Sequence, residues 1–517
     1  MSTNGSNGPG GMGERLLSMF WRKPADTIAE RARRRISLRL IPYLFFLYIL
    51  AYLDRVNVSV AELAMEGPAG AGGLGFDKSV IGFGAGIFFW GYWILEIPST
   101  VSVARWGARW VFVRILVLWG LCAALVGTIG TPFASGLFTW LPHLPEGGAV
   151  FSSVAEFING LHDTPKNQFY FFRFMLGFFE GGFFPSVIVY LSHWFRPEDR
   201  ARAIASFMAA IPLSSMLGMP VSGLLLGVHW FGLAGWRWIF ILEGVAPVLA
   251  GFATLFFLPD RPSKATWLPA DERDWLMAEL GREREGKHGH GHWLHWLRVP
   301  QLRAVVLLLT VVYFCLNVTS YGLSMFMPAI IKSQSGVGNQ AASYLAALPY
   351  LMGLLGMLIN GWHSDRTGER FWHAAVPLAL LGLGVGLAAV LNGVWVLPVL
   401  VMILLVGSVL YGHLPAFWPV PTMFLGATAA ASAIGFINMI GNLGGSVGPW
   451  IVGEAAATQG ASQTPDFVTG LLRIAPWPVV AAVLILVVGY ACHRAPAKSV
   501  ARAAESEAVS VPPVASG

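Results

Sequence analysis

The sequence predicts an all-α integral membrane protein with twelve transmembrane helices, arranged as two six-helix pseudo-repeat bundles. Three observations predict it. The 517 residues are 55% hydrophobic and only 12% charged, where a soluble globular chain carries about 25% charged residues. Apolar runs close to the roughly 20 residues that span a bilayer recur twelve times, six on each side of one long polar stretch. Lys and Arg gather on one side of the topology those runs define, as the positive-inside rule requires.

In chain order, the first 37 residues are Gly-rich and polar, then basic through Arg31, Arg33, Arg34 and Arg35, with no separate apolar stretch or small-residue cleavage site. Residues 1–39 therefore read as a retained cytoplasmic tail and not as a secretory signal. The N-terminal bundle covers 40–258, with spans near 40–60, 79–100, 111–130, 169–193, 203–227 and 238–258. An outside insertion at 131–168 holds Trp140, Pro142 and Pro145, with a short amphipathic helix expected around 150–161. It reads as a surface element on the membrane interface, with a lid over the outer opening as the rival reading. The central loop, 259–300, mixes charges and belongs in the cytoplasm. The C-terminal bundle covers 301–492, with spans near 303–328, 341–362, 374–392, 395–414, 430–453 and 475–492, and 493–517 read as a disordered cytoplasmic tail.

Charge counting supports this parse. With the N-terminus inside, cytoplasmic segments hold 26 of the 34 Lys and Arg, outside segments five, and the spans three. A missed span near the start would swap every later loop and destroy that split. The expected location is the inner, or plasma, membrane with both termini cytoplasmic. The net charge of +6 does not point to nucleic acid, because the basic residues are dealt out between apolar segments and form no continuous patch. Cys122, Cys315 and Cys492 sit in apolar runs and read as packing residues. The halves also echo each other, as repeat-built transporters do. Ala203, Ile204, Leu213, Gly218 and Gly223 recur at an offset of 230 as Ala433, Ile434, Leu443, Gly448 and Gly453.

Several chemistries are absent. The run GREREGKH, residues 281–288, has phosphate-loop spacing but ends in His, where such a loop needs Ser or Thr, and it follows no strand. The run Lys287, His288, His290, His292 and His295 reads as a solvated loop, since alternating Gly leaves the rings unoriented; a metal is the rival reading. No metal or nucleophile constellation suggests an enzyme, and no cofactor is expected.

Buried charge is where the sequence becomes specific. Ionisable groups inside spans persist mainly where they face a partner or a watery cavity. Span one carries Asp54 and Arg55, and span four carries Arg173 and Glu180, two helical turns apart and so on one face. Asp54 and Arg55 point about 100° apart, so each needs a partner elsewhere. Glu96 and Glu243, nearer span ends, read as gate or packing groups. Asn317, Tyr321 and Ser324 in span seven, Trp418 and Thr422 after span ten, and Asn438 with Asn442 in span eleven are polar groups on stretches expected to face the cavity. Amides in spans also serve simply to join helices.

The motifs YLDRVNVSVA, EIPSTVSVARWGAR, RFMLGFFEGGFFPSV, LPDRPSKATWL, SYGLSMFMPAIIK, HSDRTGER and PTMFLGATAAASAIGFINMIGNLGGSVGP, in order over residues 40 to about 490, resemble the major facilitator superfamily. The likeness is strongest to its anion:cation symporter family of tartrate, phthalate and sugar-acid carriers. The resemblance implies bundles that rock about a central site by alternating access, moving a small organic anion with protons as the coupling ion. It implies Asp54 and Glu180 as proton-titrating carboxylates, Arg55 and Arg173 as anion-binding and carboxylate-pairing arginines, and Tyr92, Trp418 and Asn438 on the substrate cavity. Asn317, Tyr321, Thr422 and Asn442 are grouped with them as substrate-binding. Gating residues are Glu96, Arg105, Gly107, Arg109, Gly361, Asp365, Arg366, Gly368 and Arg370, although Ala104 stands where the wider superfamily has Asp. The expected partners are the small anion, protons and the lipid bilayer, with the chain acting as a monomer. The expected activity is uptake of a small organic carboxylate; an antiporter or exporter on the same fold, then a transporter-like sensor, are the alternatives.

Overall fold

The computed structural model describes residues 27–145, 149–287, 295–425, 427–457 and 465–494. Of the His-rich run, His288, His290 and His292 lie outside them, as do most of the N-terminal tail and residues 495–517. Twelve helical runs cross the molecule. They are α1 (Ile28–Met65), α2 (Lys78–Trp106), α3 (Ala108–Val126), α4 (Pro165–Glu180 and Phe183–Ser192), α5 (Pro197–Met208 and Ala210–Leu226) and α6 (Gly235–Phe257). Then come α7 (Pro300–Ser335), α8 (Asn339–Thr367), α9 (Phe371–Val390), α10 (Leu397–Met423), α11 (Ala427–Gly441 and Gly444–Ala457) and α12 (Phe467–Ala491). Ten, the broken α4 among them, are long and apolar enough to cross a membrane by length and composition; α5 and α11 are built of shorter helices.

Two departures from the sequence reading have clear causes. Residues 28–39, assigned to the tail, continue α1 as a basic helix. Its arginines find acids on neighbouring elements: Arg31 Nη2 and Arg35 Nε lie 3.4 and 3.3 Å from Asp271 and Glu272 of the central segment, and Arg33 Nη1 is 3.2 Å from Asp199. Span four breaks at Gly181–Gly182, where Gly182 takes a φ of 85° that other residues adopt at a cost. Within the insertion, helices run Pro132–Gly136 and Ala149–Gly160.

The chain runs alternately between an end that carries the central segment and an end that carries the insertion. α1–α6 form one half and α7–α12 the other, with α3 against α6 and α9 against α12 on the flanks. The halves meet most closely at the insertion end, where glycines let backbones touch. Gly82 and Gly453 lie against Pro449 and Lys78 between α2 and α11, and Gly223 faces Ser343 between α5 and α8. Asn339 Nδ2 donates to Leu63 O at 3.1 Å across the same end. A buried ion cluster sits there as well: Lys78 Nζ lies 3.1 Å from Glu62 Oε2 and 2.5 Å from Glu66 Oε1, over the rings of Phe326 and Phe467 from the other half.

Candidate substrate and proton site

Between the halves lies a cavity with about 680 Å³ of empty space, its opening included, lined from α1, α2, α4, α5, α7, α10 and α11. Among the described residues, Arg55 is the one Lys or Arg that lines it. The guanidinium is nearly buried, with side-chain exposure of 7%. Its Nη2 and Nε both donate to Glu180 Oε1, at 2.6 and 2.7 Å, and Nη1 donates to Tyr321 Oη of the opposite half at 3.3 Å. Tyr52, Phe88 and Tyr92 present ring faces to the charge at 4.9 to 5.5 Å, an arrangement that stabilises a desolvated cation. Among the described residues, Glu180 Oε2 finds no hydrogen-bond partner, so the ion pair uses only one of the carboxylate's two oxygens.

Asp54, the neighbour in sequence, points away into the first half, as the 100° turn requires. Trp119 Nε1 donates to its Oδ2 at 2.5 Å and Asn57 Nδ2 to its Oδ1 at 3.1 Å. Arg173 is 1% exposed, and its Nε and Nη1 donate to backbone carbonyls of Gly84 and Asp54, each at 3.3 Å. It makes no ion pair among the described residues. Arg173 and Glu180 share α4, and the partner of Glu180 is Arg55 of α1. Glu243, read from sequence as a gate or packing group, is buried in the first half, where Ser222 Oγ donates to its Oε1 at 2.6 Å.

The opposite wall is neutral and polar. Asn317, Tyr321, Trp418, Asn438 and Asn442 all line the cavity, as does Tyr92. Asn317 Nδ2 donates to Gly441 O at 3.1 Å and so also ties α7 to α11. Asn438 Nδ2 donates to Glu96 Oε1 at 2.6 Å, a hydrogen bond across the halves on the central-segment side. Among the described residues, the Trp418 indole nitrogen and both His413 ring nitrogens find no hydrogen-bond partner. Thr422 is misplaced by the sequence reading. Pro419 and Pro421 drive a 3₁₀ turn over Val420–Met423, which leaves Thr422 exposed with its hydroxyl bonded back to Pro419 O at 2.6 Å. His413 and Tyr411 were missed, although a lone His inside the apolar run YGHLP was a visible signal.

Apart from Glu96, which Asn438 reaches across the halves, and the exposed Arg105, the residues expected to gate are tied within their own half. Arg109 N and Nε donate to Asp260 Oδ1 and Leu258 O at 3.0 and 2.8 Å, and Gly107 turns at a φ of 89° beside Asp260. An acid after α6 thus serves the loop that lacks the usual Asp. Arg105 is exposed. In the matching loop Arg370 Nη1 pairs with Asp365 at 2.7 Å, Arg366 covers Trp362, Gly368 ends α8 at a φ of 70°, and Gly361 packs on Pro415. Glu369 accepts from the Trp372 and His373 amides and the His373 ring. Partial burial opposes ionisation there, yet these bonds hold its carboxyl below the usual range.

Comparison with known proteins adds the lineage. A family model described as Major Facilitator Superfamily matches residues 44–449. A protein of Agrobacterium vitis named "Putative tartrate transporter" is 38% identical over 461 residues, covering 89% of this chain and 95% of its own. The "Quinolone resistance transporter" of Acinetobacter baumannii is 33% identical, covering 81% and 87%. Among solved structures, an inward-facing bacterial homolog of the human lysosomal transporter Spinster aligns with a TM-score of 0.63 at 14% identity, over 87% of this chain and 96% of that one, a likeness of fold alone.

Proposed function

Since the chain belongs to the major facilitator superfamily, a family of multi-pass membrane transporters, we propose that it imports a small organic carboxylate together with protons. The observation that carries this reading is Arg55: a cavity-facing guanidinium, locked by Glu180 and reaching Tyr321 across the halves. Guanidinium geometry suits a carboxylate. An incoming anion competes with Glu180 for the same donors, and a proton on Glu180 removes the competitor. The exchange conserves buried charge: substrate carboxylate replaces glutamate at Arg55, and glutamate leaves as the neutral acid. Asp54, bonded to Trp119 and Asn57 and beside Arg173, offers a second proton-accepting group. The neutral wall of Asn317, Asn442, His413 and Trp418 would bind hydroxyl groups. The tartrate name carried by a close relative agrees with this chemistry.

Uptake into proteoliposomes under an imposed pH gradient, across aliphatic hydroxy acids, sugar acids and aromatic acids, tests the reading. Accumulation of at least one acid is expected, and accumulation of none refutes import. Direct binding then isolates Arg55. Wild type should prefer an acid over its amide, Arg55→Ala should lose that preference, and Arg55→Lys should recover it only in part. Export is the second reading, favoured by the drug-resistance name of another relative; it predicts movement only against an oppositely directed proton gradient.

A further inference from the structure

We infer that a groove on the outer surface of the first half, between α1 and the end of α6, holds one anionic phospholipid of the leaflet on the central-segment side. The groove has about 1120 Å³ of empty space, its open side included. It runs along α1 from Arg35 to Phe46, with Phe257 at the end of α6 and Trp267 of the central segment on its other wall.

Helical spacing makes the α1 wall a single strip. Arg35, Arg39, Pro42 and Phe46 follow one another at intervals of three or four residues, which places them on one face. The strip changes character along its length. Both cations stand at the central-segment end, and apolar groups follow towards the middle of the span. From Arg35 to Phe46 it measures about 16 Å, close to half of the roughly 30 Å hydrocarbon core. A phospholipid has the same polarity and the same reach, one charged end and then an acyl chain one leaflet deep.

The walls are fixed by contacts within the protein. The Tyr43 hydroxyl donates to Ala250 O at 2.8 Å and its ring stacks on Phe257, centroids 5.1 Å apart, which sets the apolar floor. Trp267 stacks on buried Trp194, centroids 5.9 Å apart, and carries the Arg39 guanidinium over its ring at 5.2 Å. Arg31, Arg33 and Arg35 each reach an acid, whereas exposed Arg39 makes no ion pair among the described residues. Arg35, one turn away, touches Glu272 through Nε at 3.3 Å, yet its side chain stays 53% exposed and can face the same anion. Two guanidiniums one turn apart match the oxygens of a phosphate, and basic pockets at the membrane surface select anionic headgroups. A zwitterionic headgroup brings a cation that both arginines repel.

The test is native mass spectrometry of the full chain in detergent, titrated with phosphatidylglycerol or phosphatidylcholine of identical acyl chains. The first phosphatidylglycerol should bind at least about tenfold tighter than the first phosphatidylcholine, the worth of two arginines at a membrane surface. Arg39→Gln should lose most of that preference. Leu38→Glu, at a site 66% exposed, sets a carboxylate beside the phosphate and should abolish it. Its melting temperature without lipid should match wild type, and phosphatidylglycerol should raise only the wild-type value. Arg303→Gln removes an equal charge from an exposed site at the same end of the other half and should leave the preference intact. Equal binding of the two lipids by wild type, a comparison that needs no variant, overturns the site. So does a preference that survives in folded Leu38→Glu, or one that Arg303→Gln loses equally, since it would then belong to overall charge. Displacement of the lipid by glycerol 3-phosphate at comparable concentration would reveal an anion site with no use for the acyl chain, and it overturns the lipid as occupant.

Discussion

Replacing Glu180 by Gln separates the two tasks assigned to that residue, competing for Arg55 and carrying a proton. In the structure Oε1 receives both guanidinium bonds, at 2.6 and 2.7 Å. Hydrogen bonds involving a charged group contribute about 1.5–3 kcal/mol each, and neutral acceptors roughly half that. The amide keeps an acceptor in the same position, so the substitution weakens the internal competitor by about 1.5–3 kcal/mol in total. An anion that must displace it should bind roughly 10- to 100-fold tighter at a pH where wild-type Glu180 is ionised. At acid pH, where the wild-type side chain is neutral, the two proteins should bind alike. Calorimetric titration of the purified proteins from about pH 5 to about pH 8 reads this directly: affinity falls with pH in wild type and stays nearly level in Glu180→Gln. Proton-driven accumulation should vanish in the variant while exchange persists. If Glu180→Gln keeps the wild-type pH dependence of affinity, or accumulates substrate normally, Glu180 is neither competitor nor proton carrier.

Other outcomes follow from the same geometry. Lys78→Met should cost about 3–5 kcal/mol by stranding buried Glu62, seen as a fall in melting temperature in detergent that Glu62→Gln partly restores; no change would mean the cluster is solvated. Gly82→Leu, whose side chain must enter the Pro449 backbone, should hold the insertion end apart, so that cysteines placed at Ser343 label faster. Asn438→Ala should remove the bond to Glu96 and speed exchange; slower exchange would assign Asn438 to substrate binding instead. For Glu369, whose folded carboxyl titrates below its unfolded value, the stabilisation is present above the ordinary carboxylate range and lost as pH falls through the lowered one. Hydrogen exchange at Trp372 and His373 should therefore quicken only in acid, and not at all further in Glu369→Gln.

Hydropathy made the helix count legible because a bilayer demands long apolar runs, and charge made Asp54, Arg55, Arg173 and Glu180 legible because such groups are costly inside them. What one sequence does not contain is which helix faces which. Arg173 and Glu180 share a helical face, yet the partner of Glu180 comes from α1. Local backbone chemistry misled at Thr422, where two prolines set a 3₁₀ turn. Glu62 and Lys78 escaped notice for the opposite reason: lying at span ends, they read as ordinary boundary charges, and only tertiary packing buries them.

The break in α4 bears on how a proton could move a protein of this size. Glu180 is the last residue of the first piece, and the second piece is pinned at its far end, where the Tyr190 hydroxyl donates to Pro259 O at 2.9 Å. Gly181 and Gly182 between them press so closely on Tyr92, Leu95 and Ser99 that no side chain fits. The acid therefore sits at a joint and not along a strut. Gaining or losing its grip on Arg55 can pivot one short rod while the remainder of the helix stays anchored. Speed of rearrangement would then depend on the compliance of two glycines more than on the strength of the ion pair they adjoin.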